Sequence, residues 1–194
     1  QIVLDAYDML RNMDHRGACG CEENTGDGSG ILTGLPINFL NKIVSNELNI
    51  SLPQKGMFGT GLIFLPTLKK EKEECMSFLE NFIKERGHFV IGWRNTPCSP
   101  EKANIGPSAK ASEPIIMQIF IGAKDNCSEN VFERELYLIR KYVSHFLRSR
   151  NSLTQRHLFY ICSLSTKVII YKGMLTTDQL SVYFEDLNNP DFES

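Results

Sequence analysis

The sequence lacks any hydrophobic run long enough for a membrane-spanning helix. Its longest apolar segments, Gly61–Pro66 and Pro114–Gly122, have the length of a strand, whereas a span needs about 18 or more apolar residues. The first 13 residues contain three charged side chains, which is not the pattern of a secretory signal peptide. We therefore expect no membrane partner.

An excess of basic residues is also missing. The 194 residues include 21 Lys and Arg against 23 Asp and Glu, and the net charge is −2. Nucleic-acid-binding domains usually show a basic excess or a basic face, so we expect no nucleic-acid partner. Residues 1–194 have 42% hydrophobic and 23% charged side chains and no repeat, low-complexity tract or linker. They are predicted to form one globular domain, without a second one.

A disulfide framework is not expected either. The chain is large enough to bury a core without covalent cross-links, and its cysteines are scattered. The six are Cys19, Cys21, Cys75, Cys98, Cys127 and Cys162. Reduced thiols in an intracellular compartment are the favoured interpretation of this pattern.

Hydrophobic periodicity predicts helices and strands in a mixed order. The predicted helices are Val3–Met13, a helix that starts near Pro36, Glu71–Arg86, Val131–Leu147, and a short one opened by a capping box of Thr176 and Gln179. The predicted strands are Ile31–Leu35, Met57–Leu65, His88–Trp93, Pro114–Gly122 and a hairpin of Phe159–Ser163 with Lys167–Lys172. Arg94–Ser112, with three prolines, is predicted to be a long connection. This order favours an α+β fold of antiparallel sheets with helices on their outer faces.

The same periods predict which helical side chains are buried. The predicted inward positions are Ala6, Met9, Leu10 and Met13 in the first helix, and Phe39, Leu40, Ile43 and Val44 in the second. They continue with Cys75, Phe78, Leu79, Phe82 and Ile83 in the third helix, and Leu136, Ile139, Val143 and Phe146 in the fourth.

Unusual residues are densest between His15 and Gly30. Five of the residues from Gly17 to Gly30 are glycine, which indicates backbone with positive φ or close approaches. A flexible surface turn is one interpretation. A phosphate-binding loop is another, but neither dinucleotide-binding nor Walker-type spacing is present, and no lysine closes the loop.

Zinc binding is a further alternative for this segment. His15, Cys19 and Cys21 offer three ligands. However, the spacing of the two cysteines is not the usual zinc-knuckle spacing, and no second cysteine pair follows. A non-catalytic, cysteine-rich zinc-binding or interaction module stays open as an alternative at this point.

Several segments resemble the N-terminal glutaminase domain of the large ferredoxin- or NAD(P)H-dependent glutamate synthases. The matching segments are Asp14–Gly20, Thr25–Ile31, Gly92–Arg94, Glu135–Arg140, Phe159–Ser165, Ile170–Leu175, Asp178–Leu180, Tyr183–Phe184, Asp186–Leu187 and Phe192–Ser194. They cover the chain from end to end in the family's order. Other class II glutamine amidotransferases share the shorter His-Arg-Gly motif and are the alternative within this class. The Thr25–Gly30 loop and the Tyr171–Met174 segment favour glutamate synthase.

The resemblance implies an N-terminal-nucleophile hydrolase-like fold, a four-layer αββα sandwich of two antiparallel sheets between helices. It also implies that L-glutamine is hydrolysed to glutamate and ammonia. In the family an N-terminal cysteine attacks the side-chain amide, with its own α-amine as the general base. The ammonia then reacts with 2-oxoglutarate in reductive glutamate synthesis.

The further partners and cofactors implied belong to the full-length enzyme. They are a synthase domain of the same polypeptide with FMN and an iron–sulfur cluster, NAD(P)H or ferredoxin as electron donor, and a small NAD(P)H-oxidising subunit or domain. For residues 1–194 themselves no cofactor and no metal are expected. The compartment implied is the cytoplasm or a plastid.

The departures from the family pattern concern the active site. Residue 1 is Gln rather than Cys, so we expect a domain truncated at both ends, with the nucleophile upstream and further substrate-binding segments downstream. The chain alone is then expected to be inactive. The residues carried over are Arg16, as a supporting catalytic residue, and Gly26, Asp27 and Gly28, as a substrate-binding loop.

Overall fold

A computed structural model of the chain describes residues 2–13, 22 and 24–192. The helices are α1 (Ile2–Asn12), α2 (Ile37–Leu48), α3 (Lys69–Glu85), α4 (Pro107–Ala111), α5 (Glu129–Ser149) and α6 (Gln179–Tyr183). The strands are β1 (Ser29–Gly34), β2 (Phe58–Leu65), β3 (Phe89–Asn95), β4 (Ile115–Gly122), β5 (Tyr160–Ile161) and β6 (Val168–Gly173). Two 3₁₀ turns lie at Arg156–Leu158 and Glu185–Asn188.

A four-stranded antiparallel sheet in the order β3-β4-β2-β5 forms the centre. β2 and β4 pair along their whole length, from Phe58 opposite Gly122 to Leu65 opposite Ile115. Nearly every residue of these two strands is buried, because both faces of the sheet are covered. This explains the continuous apolar runs that predicted buried strands.

Helices α3 and α5 cover one face of this sheet. Their amphipathic patterns place apolar side chains inward at helical spacing. The buried ones are Cys75, Leu79, Ile83, Phe132, Leu136, Ile139, Val143 and Leu147, and they share a core with Ile63, Ile119 and Ile121 of the sheet. The inner faces predicted for these helices are confirmed except at Phe146, which is exposed and stacks on Phe78 at a ring-centroid distance of 4.3 Å.

A second core joins the other face of the sheet to the remaining elements. It contains Phe58, Leu62 and Phe120 of the central sheet, Phe39, Leu40 and Val44 of α2, and Ile31, Ile169 and Tyr171 of a two-stranded antiparallel sheet, β1-β6. Ala6 and Leu10 of α1 pack against this core, whereas the predicted inward residues Met9 and Met13 are exposed. Antiparallel sheets with helices confirm the α+β class.

Two connections differ from the sequence prediction. Phe159–Ser163 and Lys167–Lys172 do not form a hairpin, because β5 pairs with β2 and β6 pairs with β1. The two segments therefore lie in different sheets. The connection Arg94–Ser112 contains the short helix α4, which begins with Pro107, a residue favoured in the first helical turn.

None of the described helices is long and apolar enough to span a bilayer.

Candidate functional site

The glycine-rich loop before β1 has a backbone that side chains would obstruct. A Cβ at Gly26 would collide with the carbonyl of Leu175 and would lie 2.6 Å from the amide nitrogen of Thr176. Gly28 has φ +134°, a conformation that residues with a Cβ rarely adopt. The glycines therefore let the loop lie directly on the chain that follows β6.

Glu22 anchors the start of this loop to α4. Its carboxylate accepts hydrogen bonds from the hydroxyl of Thr25 at 2.7 Å and from the amide and hydroxyl of Ser108 at 3.0 and 2.7 Å. The Ser108 side-chain and backbone donors lower the pKa of Glu22. The loop is thus tied to an element more than 80 residues away.

Three further hydrogen bonds hold the loop against the start of α4 and the segment after β6. The carbonyl of Asn24 accepts hydrogen bonds from Gly106 N at 2.8 Å and from Gln179 Nε2 at 3.0 Å. The hydroxyl of Ser29 donates to the carbonyl of Thr176 at 3.0 Å. Sequence-distant segments therefore fix the loop, so the flexible surface turn considered from composition is not what residues 24–30 form.

The loop forms one wall of an open cavity of about 550 Å³, which we call the glycine-loop cavity. Its lining comprises Asp27–Leu32 of the loop and β1, Phe64, Tyr160, and Ile170, Lys172, Gly173 and Met174 of β6 and beyond. The structure thus brings the sequence-predicted residues Asp27 and Gly28 to this cavity. Gly26 does not line it and lies instead against the backbone of Leu175 and Thr176.

Lys172 supplies a positive charge in the wall of this cavity. Its Nζ donates a hydrogen bond to the hydroxyl of Tyr160 at 2.8 Å and lies 4.2 Å from the centroid of that ring. The Tyr160 ring in turn lies 6.0 Å from that of Phe64. A cation over an aromatic face is held more firmly than a free lysine.

A second cavity of about 300 Å³ adjoins the first, and we call it the Glu113 cavity. It shares Phe64, Tyr160, Lys172, Gly173 and Met174 with the first. The rest of its lining is Ile105, Ala109, Ser112, Glu113, Pro114, Ile116, His157, Leu158, Leu175 and Tyr183. The hydroxyl of Tyr183 donates to Glu113 Oε1 at 2.6 Å. Burial raises the pKa of Tyr183, so its hydroxyl stays protonated as the donor.

No cysteine among the described residues lines either cavity. Cys75, Cys98, Cys127 and Cys162 are free thiols. Burial raises the pKa of Cys75, Cys98 and Cys162 to about 12 in each case, and a protonated thiol is a poor nucleophile. These thiols contribute packing rather than attack on a substrate.

The structure does not test every predicted site residue. Arg16 and the three candidate zinc ligands His15, Cys19 and Cys21 lie outside the described residues. Within residues 2–13, 22 and 24–192, no group of three or more His, Cys, Asp or Glu side chains could hold a metal ion.

Sequence reasoning assigned Asp27 to the candidate site but gave no site role to Lys172, Glu113 or Tyr183. Lys172 belongs to the Tyr171–Met174 segment of the family resemblance and to an otherwise apolar strand, where alternation places it on the face opposite Tyr171. Neither signal assigns it a role. Glu113 and Tyr183 carry no local signal, because they meet only through the tertiary fold.

Comparison with known proteins identifies relatives for the whole chain. The family model for class-II glutamine amidotransferases matches residues 1–194. The glutamate synthase [NADPH] large chain of Bacillus subtilis is 37% identical over 194 residues, and the ferredoxin-dependent glutamate synthase of Pyropia yezoensis is 35% identical over the same length. The glutamate synthase [NADH] of Schizosaccharomyces pombe is 36% identical over 200 residues. Each match covers 100% of this chain, but only 12%, 12% and 9% of the respective relative.

Proposed function

Since the chain belongs to the class-II glutamine amidotransferases, we propose that it forms the glutaminase domain of a glutamate synthase. The observation that carries the proposal is the match of the whole chain to three glutamate synthases that are named for different electron donors. What these relatives share along the chain is therefore independent of the donor, as expected for a domain that handles glutamine.

The proposed reaction is hydrolysis of L-glutamine to glutamate and ammonia. A cysteine thiolate attacks the side-chain amide carbon, the amine leaves as ammonia after accepting a proton, and water hydrolyses the resulting thioester. Fixed hydrogen-bond donors stabilise the oxyanion of the tetrahedral intermediates. We assign the nucleophile to an N-terminal cysteine, as the family resemblance implies, and none of the four described cysteines lines either cavity.

We assign the glycine-loop cavity to the substrate. Its volume of about 550 Å³ lies within the range typical of small-molecule sites. In this assignment Asp27 and Gly28 contact glutamine directly. Gly26 acts by letting the loop lie close to Leu175, and Arg16 supports the nucleophile.

The rest of the proposed enzyme lies in other domains. Ammonia would pass to a synthase domain of the same polypeptide that carries FMN and an iron–sulfur cluster and uses 2-oxoglutarate. NAD(P)H, through a small oxidising subunit or domain, or ferredoxin would supply the electrons. We further propose that the two antiparallel sheets belong to the four-layer αββα sandwich of N-terminal-nucleophile hydrolases, and that the enzyme acts in the cytoplasm or a plastid.

Labelling with a diazoketone analogue of glutamine, 6-diazo-5-oxo-L-norleucine, tests this proposal. The complete gene product that contains the chain is treated with the reagent, and intact mass and peptide mapping locate the adduct. We expect one adduct, on an N-terminal cysteine, together with loss of glutamine hydrolysis. L-Glutamine should protect against labelling and D-glutamine should not. An adduct on Cys19 or Cys21, or no adduct, would contradict the assignment.

The two alternatives make different predictions. Another class-II amidotransferase would be labelled in the same way, but its glutamine hydrolysis would respond to an acceptor other than 2-oxoglutarate. A zinc-binding module would contain stoichiometric zinc bound by Cys19 and Cys21, which elemental analysis of the purified protein detects.

A further inference from the structure

The Glu113 cavity presents opposite charges in an otherwise largely apolar enclosure. Its walls contain Ile105, Ala109, Pro114, Ile116, Leu158 and Leu175. Glu113 supplies an anion and Lys172 a cation, and both line the same space of about 300 Å³. Small-molecule sites commonly combine apolar walls with a few polar groups that fix the orientation of the ligand.

Each charged group is held in place by a tyrosine but keeps unused hydrogen-bonding capacity. Tyr183 donates to Oε1 of Glu113, and no other described residue hydrogen-bonds through its side chain to the Glu113 carboxylate. Lys172 donates to Tyr160, which occupies one of its three N–H donors. Lys110, close to Glu113 in the sequence, pairs instead with Glu101. A ligand can therefore bind to both groups without displacing an ion pair.

We propose that the Glu113 cavity binds a free amino acid with an apolar side chain, at a site separate from the proposed glutamine site. The ligand ammonium would contact Glu113, its carboxylate would contact Lys172, and its side chain would pack on the apolar wall. A simple amine or a simple carboxylate would leave one of the two protein charges without a partner inside the cavity.

Residues shared by the two cavities can couple this site to the glycine-loop cavity. Lys172 and Tyr160 line both spaces, so a carboxylate bound to Lys172 would alter the charge that faces the first cavity. Binding at the two sites would then be coupled, and each ligand would change the affinity for the other by the same factor.

Equilibrium dialysis with radiolabelled L-leucine as the probe tests the proposal. The complete gene product is measured before and after treatment with 6-diazo-5-oxo-L-norleucine, which would block the proposed glutamine site. We expect about one equivalent of bound leucine in both cases. Glu113→Gln and Lys172→Met should each weaken binding about tenfold or more, as expected for the loss of a charged hydrogen bond. The matched surface substitutions Glu73→Gln and Lys84→Met on α3 should leave it unchanged.

Two competitors provide a readout that does not depend on substitutions. Isoamylamine lacks the carboxylate of leucine, and 4-methylpentanoate lacks its ammonium group. Each should displace leucine about tenfold less well than unlabelled leucine does. Absence of leucine binding, or binding that the diazoketone abolishes, would overturn the proposal. So would equal competition by the amine or the acid, or unchanged affinity in both Glu113→Gln and Lys172→Met. Failure of the diazoketone to modify the protein would count against the proposed glutaminase function and not against this site.

Discussion

Arg94 and Asp186 form a bidentate ion pair inside the core. Both terminal nitrogens of Arg94 donate to the carboxylate of Asp186, at 2.8 and 2.9 Å, and the two side chains are only 2% and 3% exposed. The hydroxyl of Tyr171 donates to the same carboxylate at 2.9 Å. Burial alone would lower the pKa of Arg94, but the hydrogen bond and charge of Asp186 outweigh it and raise that pKa. This cluster ties the turn after α6 to β3 and β6.

Removal of one partner of this pair should strongly destabilise the chain. In Asp186→Ala the guanidinium of Arg94 loses its buried anion and keeps only the half-exposed Glu47, whose Oε2 lies 3.2 Å from Arg94 Nε. We expect a loss of about 3–5 kcal/mol in the free energy of unfolding. Urea denaturation followed by the fluorescence of Trp93, the single tryptophan, measures this loss. The double variant Arg94→Leu/Asp186→Leu should lose less, because neither charge remains buried. Equal losses would show that the pair matters through its packing alone.

His88 should make the chain less stable in mildly acidic solution. It is buried, its Nδ1 accepts a hydrogen bond from Lys124 N at 3.2 Å, and its ring lies 4.8 Å from that of Phe132. Burial and the charge of Lys124 lower its pKa. Between the unfolded value of about 6.5 and the lower folded value, the unfolded state binds more protons. The free energy of unfolding therefore falls as the pH falls through this window.

Denaturation midpoints measured from pH 7 to pH 5 test whether stability decreases as the pH falls. The His88→Asn variant should have a flatter profile than the wild type. The same change at the exposed His145 should leave the slope unchanged. The hydrogen-bonded carboxylates of Glu22 and Glu71 also have lowered pKa values, so their contribution is lost only at more acidic pH. A wild-type profile that is flat down to pH 5 would contradict the assignment to His88.

The glycine loop can be tested through Gly26. Gly26→Ala places a Cβ against the backbone of Leu175 and Thr176. Backbone atoms cannot rotate away from the added methyl group, whereas the end of a flexible side chain can. We expect a loss of about 1–3 kcal/mol and lower glutamine hydrolysis by the complete gene product. Gly92→Ala is the matched control, since its Cβ would meet the flexible end of the Leu48 side chain at 2.9 Å and Gly92 lines neither cavity. Thermal melts and ammonia release measure both variants, and equal behaviour of the two would contradict a role for the close approach at Gly26.

Local sequence patterns predicted most elements but not the pairing of β5 and β6. The polar turn between Ser163 and Lys167 has the composition of a hairpin loop, and only long-range pairing with β2 and β1 separates the two strands. The Gln179 half of the predicted capping box is confirmed, because Gln179 Oε1 accepts from Thr176 N at 2.9 Å. Phe146 has the helical spacing of a core residue, yet it stacks on Phe78 at the surface, which spacing alone cannot distinguish from burial.

The unusual backbone of the glycine-rich loop was predictable, because the glycines themselves carry that signal. Glycines at positions 26 and 28 mark a loop that side chains would obstruct, and the structure places that loop at a cavity. Glu113 and Tyr183 are 70 residues apart, and no sequence motif joins them. Their contact depends on how α4 and α6 pack, which a single sequence does not specify.

Arg16 stays a prediction, because it lies outside the described residues. In the complete gene product, Arg16→Ala should lower glutamine hydrolysis by disturbing the surroundings of the nucleophile, with a modest loss of stability. Arg11→Ala is the matched control. Its ion pair with Asp178 joins side chains that are 63% and 73% exposed, so its loss should cost less than about 1 kcal/mol and leave turnover unchanged. Unchanged turnover in Arg16→Ala would refute the supporting role.

The two-stranded sheet should make the 194-residue chain associate with itself. Among the described residues β1 pairs only with β6, and Leu32 on β1 is 60% exposed. A two-stranded sheet with an open, apolar edge is a template for pairing with another chain. Sedimentation velocity should therefore show species larger than the monomer in a concentration-dependent manner. Leu32→Lys should shift the distribution toward the monomer, because a charge at the edge opposes strand pairing. Leu68→Lys, at a residue of similar exposure before α3, should not, and a wild-type chain that stays monomeric with a sharp melt would refute this prediction.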